Sequence, residues 1–209
     1  STDAENGSHH RATGTPLEAY DAMAHRYDEN LLQRSWGIRT ADLVADAVGD
    51  QPAGDLLDVC CGTGAVGTNL KPDFERVVGI DLSAKMLAEA RKTGRYDDLI
   101  KADLIDGMRE SKPFFSVITC SCALYHVSDL APFFGEAARL LSAGGYLIFS
   151  VDPATDDFRI AKTSEREFAH SRAYLRGLAA DNRFSEISIT VDFHRGYPGF
   201  WCIFQLSPV

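Results

Sequence analysis

The stretch Asp55-Leu56-Leu57-Asp58-Val59-Cys60-Cys61-Gly62-Thr63-Gly64 limits what this chain can fold into more than any other. An apolar run ends in an acid and then in closely spaced glycines, the pattern of a buried strand feeding a tight turn into a helix. Leu56, Leu57 and Val59 are strand formers, while Gly62 and Gly64 let the backbone approach a ligand more closely than a residue with a Cβ allows. A turn of this kind suits a nucleotide-bearing ligand. Two further apolar runs end in the same way, Arg76 to Ile80 in Asp81 and Leu99 to Ala102 in Asp103, so Asp58, Asp81 and Asp103 mark a repeating strand–helix unit.

Two ligands compete for the turn. Gly62-Thr63-Gly64-Ala65-Val66-Gly67 spells a dinucleotide fingerprint, with Asp81 closing the next strand. Asp58 argues against it, because a carboxylate inside the strand would repel a pyrophosphate. It suits a ligand that is cationic at that end, such as the ammonium and sulfonium of S-adenosylmethionine. Asp81 can accept two hydrogen bonds from a ribose diol. The other role open to it, capping the next helix, is better filled by Ser83. Asp103 can accept from an adenine amino group while Leu104 packs on the ring, and Met86 is a good filler for a flat aromatic face.

Taken in order, residues 1–15 lack periodic apolar positions and are expected to be a disordered tail. Leu17, Tyr20, Ala24, Tyr27 and Leu31 follow helical spacing, and Ile38 to Val48 gives a second, weaker helix. A fourth strand runs from Phe114 to Cys120, followed by the loop Ser121 to Val127. A helix from Leu130 to Leu141 is stopped by Ala143-Gly144-Gly145, and a fifth strand covers Tyr146 to Val151. Asp152 to Thr163 reads as a polar loop. A further helix is marked by Phe168, Arg172, Leu175 and Leu178, with His170 and Tyr174 four apart on one face as either substrate contacts or a surface pair. The chain ends in a hairpin, Ile187 to Phe193 and Phe200 to Phe204, turned by Gly196 to Gly199.

The glycine stretch resembles the first motif of class I S-adenosylmethionine-dependent methyltransferases of the small-molecule type, with Cys60 at the place of the motif's first glycine. The likeness continues in Tyr20-Asp21…Tyr27-Asp28, in Ser83 to Arg91, in the aromatic-His pair Tyr125-His126, and in Leu141 to Phe149, which is similar to a late Leu-x-Pro-Gly-Gly-x-Leu-x-Phe motif. The resemblance implies an α/β doubly wound, seven-stranded, mostly parallel sheet in the order 3-2-1-4-5 and then two more, with an antiparallel last strand and an N-terminal helical cover. It implies one domain over 16–209: a helical cap (16–50), a donor-binding half (55–152) and a helix with C-terminal hairpin (153–209). Its donor site carries over to Tyr27, Asp58, Cys60, Gly62, Gly64, Asp81, Leu82, Met86, Asp103, Leu104, Cys120 and Tyr125. Tyr20, His170 and Tyr174 are the substrate candidates, although Tyr20 and Tyr27 also suit simple core packing. A closer likeness, from Asp58 to Gly64 and Ala169 to Tyr174, is to small bacterial methyltransferases associated with tetratricopeptide repeats.

The chemistry implied is methyl transfer to a small-molecule acceptor, with S-adenosylmethionine as donor and S-adenosylhomocysteine as product. His126 is the candidate base, or else only orders its loop. A methyltransferase-fold protein that binds the donor but catalyses a cyclisation or rearrangement is the alternative. Composition bears on partners. With 21 Lys+Arg against 30 Asp+Glu, a net charge of −9 opposes attraction to nucleic acid or anionic membrane. No apolar run reaches the ~18 residues of a membrane span. A cytoplasmic monomer or homodimer is expected, its five cysteines reduced and no metal bound.

Overall fold

The structure is a computed structural model and describes Leu17, residues 31–51 and residues 53–208. Its first described helix, α1 (Leu31–Val48), is followed by β1 (Ala53–Val59), α2 (Ala65–Asn69), β2 (Phe74–Asp81), α3 (Ala84–Lys92), β3 (Asp98–Lys101), α4 (Leu104–Glu110) and β4 (Phe115–Cys120). A 3₁₀ turn (Leu124–His126) leads to α5 (Ala131–Leu140), β5 (Leu141–Val151), β6 (Pro153–Ala154), β7 (Ile160–Ser164), β8 (Glu167–Ser171), α6 (Arg172–Asp181), β9 (Phe184–Phe193) and β10 (Pro198–Leu206). The main sheet has seven strands in the order β3-β2-β1-β4-β5-β10-β9. Strands β1 to β5 pair in parallel, and β10 runs antiparallel to both β5 and β9.

Neighbouring apolar residues of the strands serve opposite faces. Leu57, Val59, Ile80, Ile118 and Phe149 pack with Met108, Phe133, Phe134 and Leu175 under α4, α5 and α6. Leu56, Val77, Val117, Ile148 and Trp201 pack with Trp36, Leu43 and Val44 of α1. Continuous apolar runs are what a sheet covered on both faces requires. Phe134 sits edge-on to Phe133, Phe149, Phe184 and Phe204.

The segment after β5 departs from the sequence reading. Instead of a polar loop and one helix from Phe168, Ile160–Ser164 and Glu167–Ser171 form a hairpin in a second sheet of order β6-β8-β7. The helix begins only at Arg172, where the Ser171 side chain accepts from the Tyr174 N–H. His170 therefore lies on a strand and Tyr174 in the first turn of a helix, yet their rings still stack at 5.7 Å. The strand β5 starts at Leu141, directly after α5, and shifts register against β4 between Phe115 and Val117 where Ser142 to Gly145 are accommodated. Tyr20 and Tyr27 lie outside the described residues.

Candidate active site

Brought together at the carboxyl ends of β1 to β4, where the strand order reverses between β1 and β4, is a cavity of about 480 Å³. In doubly wound sheets this crevice is where ligands bind. Its lining includes Cys60, Gly62, Asp81, Leu82, Met86, Asp103 and Leu104 on one side, and Ser121, Cys122, Ala123, His126 and Val127 on the other, with Leu17 completing the wall.

Asp81 is held by its own turn. Its Oδ2 accepts from the Gly62 N–H and its Oδ1 from the Ser83 N–H, both at 2.9 Å. The carboxylate thus joins the glycine turn after β1 to the start of α3 and presents itself to the cavity in one orientation. Ser83 caps α3 through the Met86 N–H, so Asp81 is released from capping as its sequence context suggests. Asp103 does cap its helix, accepting from the Ile105 N–H at 3.2 Å, and still lines the cavity. Cys60 keeps the left-handed backbone that a glycine would supply, at φ 57, and its thiol meets that of Cys120. That hydrogen bond, together with burial, raises its pKa far above the ordinary thiol value.

Asp58, Gly64, Cys120 and Tyr125 stand behind the lining. Asp58 is fully buried. Its Oδ2 accepts from the Tyr96 hydroxyl at 2.6 Å and its Oδ1 from Thr119 Oγ1 at 2.8 Å. Burial pushes the carboxyl up to about 6, against the pull of those two hydrogen bonds. The parallel register explains the network, because Asp58 lies beside Gly79 on one neighbour and Thr119 on the other. Tyr96, which the sequence reading passed over, fills the space left by three glycines. A Cβ at Gly64, Gly67 or Gly79 would come within about 3 Å of its ring, and its hydroxyl accepts from the Gly67 N–H at 3.1 Å. Gly64, at φ 93, is glycine for both reasons. The sequence signal for Tyr96 was its place just before β3, but nothing local says which way it points.

On the other side, His126 lines the cavity, its ring 4.1 Å from that of Tyr125. Burial lowers its pKa, and nearby Glu167 only partly offsets this. It is therefore held as a neutral imidazole at neutral pH. A carbonyl of Arg166, in the β7–β8 turn, accepts from the ring and fixes its orientation. His170 and Tyr174 are buried beside the cavity and do not line it. His170 Nε2 meets the Ser128 carbonyl at 2.9 Å, and the Tyr174 hydroxyl accepts from the Leu130 N–H, so the two support the loop that follows His126. All five cysteines are free thiols, and among the described residues no group of three or more His, Cys, Asp or Glu is placed to hold a metal. No helix of the described residues is long and apolar enough to cross a membrane.

A reversal-point cavity with an acid at the end of each of two successive strands is a layout suited to a nucleoside in a doubly wound α/β fold. Residues 57–149 match the family model of a methyltransferase domain. The chain is 29% identical over 166 residues to a malonyl-[acyl-carrier protein] O-methyltransferase of Enterobacter lignolyticus, spanning 78% of this chain and 64% of that protein. It is 31% identical over 143 residues to a ubiquinone biosynthesis O-methyltransferase of Nitrosomonas europaea, spanning 64% and 60%. It thus matches less than two thirds of the length of these curated relatives. The fold superposes on the magnesium protoporphyrin IX methyltransferase of Synechocystis, solved with bound S-adenosylmethionine, with a TM-score of 0.68 at 20% identity over 94% of this chain and 100% of that one. Residues 57–149 are thus similar to a methyltransferase domain, and the fold is the one seen in solved S-adenosylmethionine-dependent methyltransferases. The lining has the chemistry to take S-adenosylmethionine: Asp81 offers an acid for a ribose diol, Asp103 one for an amino group, and Leu82, Met86 and Leu104 apolar walls for a purine.

Proposed function

We propose that this chain transfers a methyl group from S-adenosylmethionine to an oxygen of a small, largely apolar acceptor, releasing S-adenosylhomocysteine. The observation that carries the reading is one cavity with two unlike ends, acid-tipped strands at one and His126 among apolar side chains at the other. When bound, the donor supplies a methyl group already activated on a sulfonium, so the protein's own task is alignment. Asp81 holds the ribose diol, Asp103 the adenine amino group, and Met86 and Leu104 the purine faces. His126, kept neutral by burial and oriented by the Arg166 carbonyl, takes the proton of the acceptor hydroxyl. An oxygen acceptor is supported by the curated relatives above, both O-methyltransferases by name. The net charge of −9 favours small molecules over nucleic acid as partners.

Calorimetric titration with S-adenosylmethionine, S-adenosylhomocysteine and NADH side by side tests the donor. Binding of the first two at about micromolar Kd, with no NADH binding, is the expected result. NADH binding alone would mean that the literal glycine fingerprint is the true one. A panel of phenols and hydroxy acids scored by S-adenosylhomocysteine release then tests the transfer. Conversion of the acceptor without that product would instead favour the cyclisation or rearrangement reading.

A further inference from the structure

The cavity wall opposite the acids is a loop held by its own 3₁₀ turn at Leu124–His126 and, before that turn, from outside. Cys122 sits at φ 50, a backbone conformation unfavourable for any residue with a Cβ, and its N–H donates to Ser150 Oγ at 2.8 Å. Ser150 is fully buried in β5, and its Oγ lies 2.9 Å from His194 Nε2, while His194 Nδ1 lies 2.9 Å from Asp152 Oδ1. Donor and acceptor inventories leave one assignment for a neutral ring. The Asp152 carboxylate only accepts, so Nδ1–H donates to it. Nε2 then accepts from the Ser150 hydroxyl, whose lone pairs are left for the Cys122 N–H. The order Asp, His, Ser has the look of a hydrolytic triad, but this serine is sealed inside the sheet and spends its oxygen on a backbone amide. What the relay delivers is the position of Cys122.

A second arm starts from the same carboxylate. Arg195 Nη2 lies 2.6 Å from Asp152 Oδ2 and 3.2 Å from Glu167, and its Cζ sits 3.6 Å from the centre of the Tyr125 ring. That ring in turn lies against His126. His194 itself is wedged in place. Its ring stands edge-on to Trp201, a Cβ at Gly199 would run into it at 2.5 Å, and its carbonyl accepts from the Trp36 indole of α1.

We propose that His194 and Arg195 are positioning residues for the acceptor end of the cavity, holding Cys122 through Ser150 and His126 through Tyr125. The C-terminal hairpin thereby contributes to the acceptor geometry alongside the loop's own turn. The proposal rests on the reading of His126 as facing the acceptor, but its test is read on the purified protein without donor, so a failed donor titration leaves it standing.

The experiment is cysteine labelling with N-ethylmaleimide, localised by peptide mass spectrometry, in the unaltered chain and in Ser150→Ala. Cys122 is 3% exposed and lines the cavity, whereas Cys202 is fully buried in β10 and reports global opening. Releasing the Cys122 amide should speed labelling of Cys122 about tenfold, the scale of one buried hydrogen bond, with Cys202 unchanged. In parallel, the His126 imidazole resonance, assigned by its absence in His126→Gln, should shift in Arg195→Met. That variant alters a side chain at the rim of the network and also serves if Ser150→Ala does not fold. Unchanged labelling of Cys122 with an unmoved His126 resonance would overturn the proposal. So would equal acceleration at Cys122 and Cys202, which would make the network a contributor to global stability alone.

Discussion

The two ends of the cavity are built from contacts of different reach. At the donor end Asp81 is fixed by Ser83 two residues on and Gly62 nineteen back, and the helices after β2 and β3 are capped by Ser83 and Asp103 at their own starts. At the acceptor end Cys122 is held by Ser150, Ser150 by His194 forty-four residues away, and Tyr125 by Arg195, while Thr40 of α1 donates to Ser121 across eighty-one residues. A donor common to many reactions is met by a frame that each strand–helix unit carries with it. The acceptor end is assembled from distant segments and can change without disturbing that frame.

The sharpest way to break this comparison is at its acceptor end. His126→Ala should slow turnover about 10²- to 10³-fold, the usual contribution of a general base, while calorimetric affinity for S-adenosylhomocysteine stays within about twofold. Equal loss of both would place His126 in the donor frame and remove it as a base. The complementary change, Asp81→Ala, deletes an acceptor for a ribose diol and for two backbone amides. Charge-assisted hydrogen bonds of this kind are worth about 1.5–3 kcal/mol each, so donor affinity should fall about 10²-fold by calorimetry. An unchanged affinity would show that the acid at the end of β2 faces no ligand.

The same difference of reach explains what could be read from the amino-acid sequence. The acid at each strand end, the Ser83 cap and the C-terminal hairpin follow from local pattern, and with them the cavity residues Gly62, Asp81, Met86, Asp103 and Leu104, whereas the strand order and the places of Cys60 and Leu82 came from the family resemblance. Tyr96, Ser150, His194 and Arg195 carry no such mark, because their meaning comes from register and packing. Asp58 faces Tyr96 only because Gly79 lies beside it on β2. The hairpin of β7 and β8 was hidden for a related reason. Ile160 and Ala161 find their partners in His170 and Ala169 across a turn rich in charged residues, and a helical pattern just downstream masked the alternation.

Tyr96→Phe probes a long-range element of the donor end. Removing the hydroxyl leaves the Gly67 N–H without its acceptor and Asp58 with Thr119 alone, at a cost of about 1–3 kcal/mol for a buried group. Thermal unfolding should move down by about 4–8 °C for a loss near 2 kcal/mol in a chain of this size. A shift under a degree would mean that the tyrosine ring, and not its hydroxyl, organises the glycine turn.

The smallest effect is one of pH, and it has an unusual sign. Asp58 is pushed by burial to about 6 from an ordinary 3.8, so the folded state holds this proton more tightly than the unfolded chain. Its contribution to stability is fully present below about 3.8 and is lost as pH rises through about 6. Between pH 7 and pH 5 this one group should add about 1 kcal/mol, opposite to the loss expected from an acid whose pKa is depressed. Asp152 is such an acid: burial pushes it up, but the hydrogen bonds from His194 and Arg195 prevail and hold it at about 2. Its contribution is present above 3.8 and falls away only toward pH 2, outside the window. Asp58→Asn keeps an oxygen for the Tyr96 hydroxyl and offers an amide to Thr119, so the network survives without its proton. Denaturant midpoints for the unaltered chain and Asp58→Asn should therefore converge as pH drops from 7 to 5. Parallel midpoints would show that the carboxylate is relieved by solvent or by its hydroxyl partners, and that the donor end, like the acceptor end, tolerates a buried charge by pairing it.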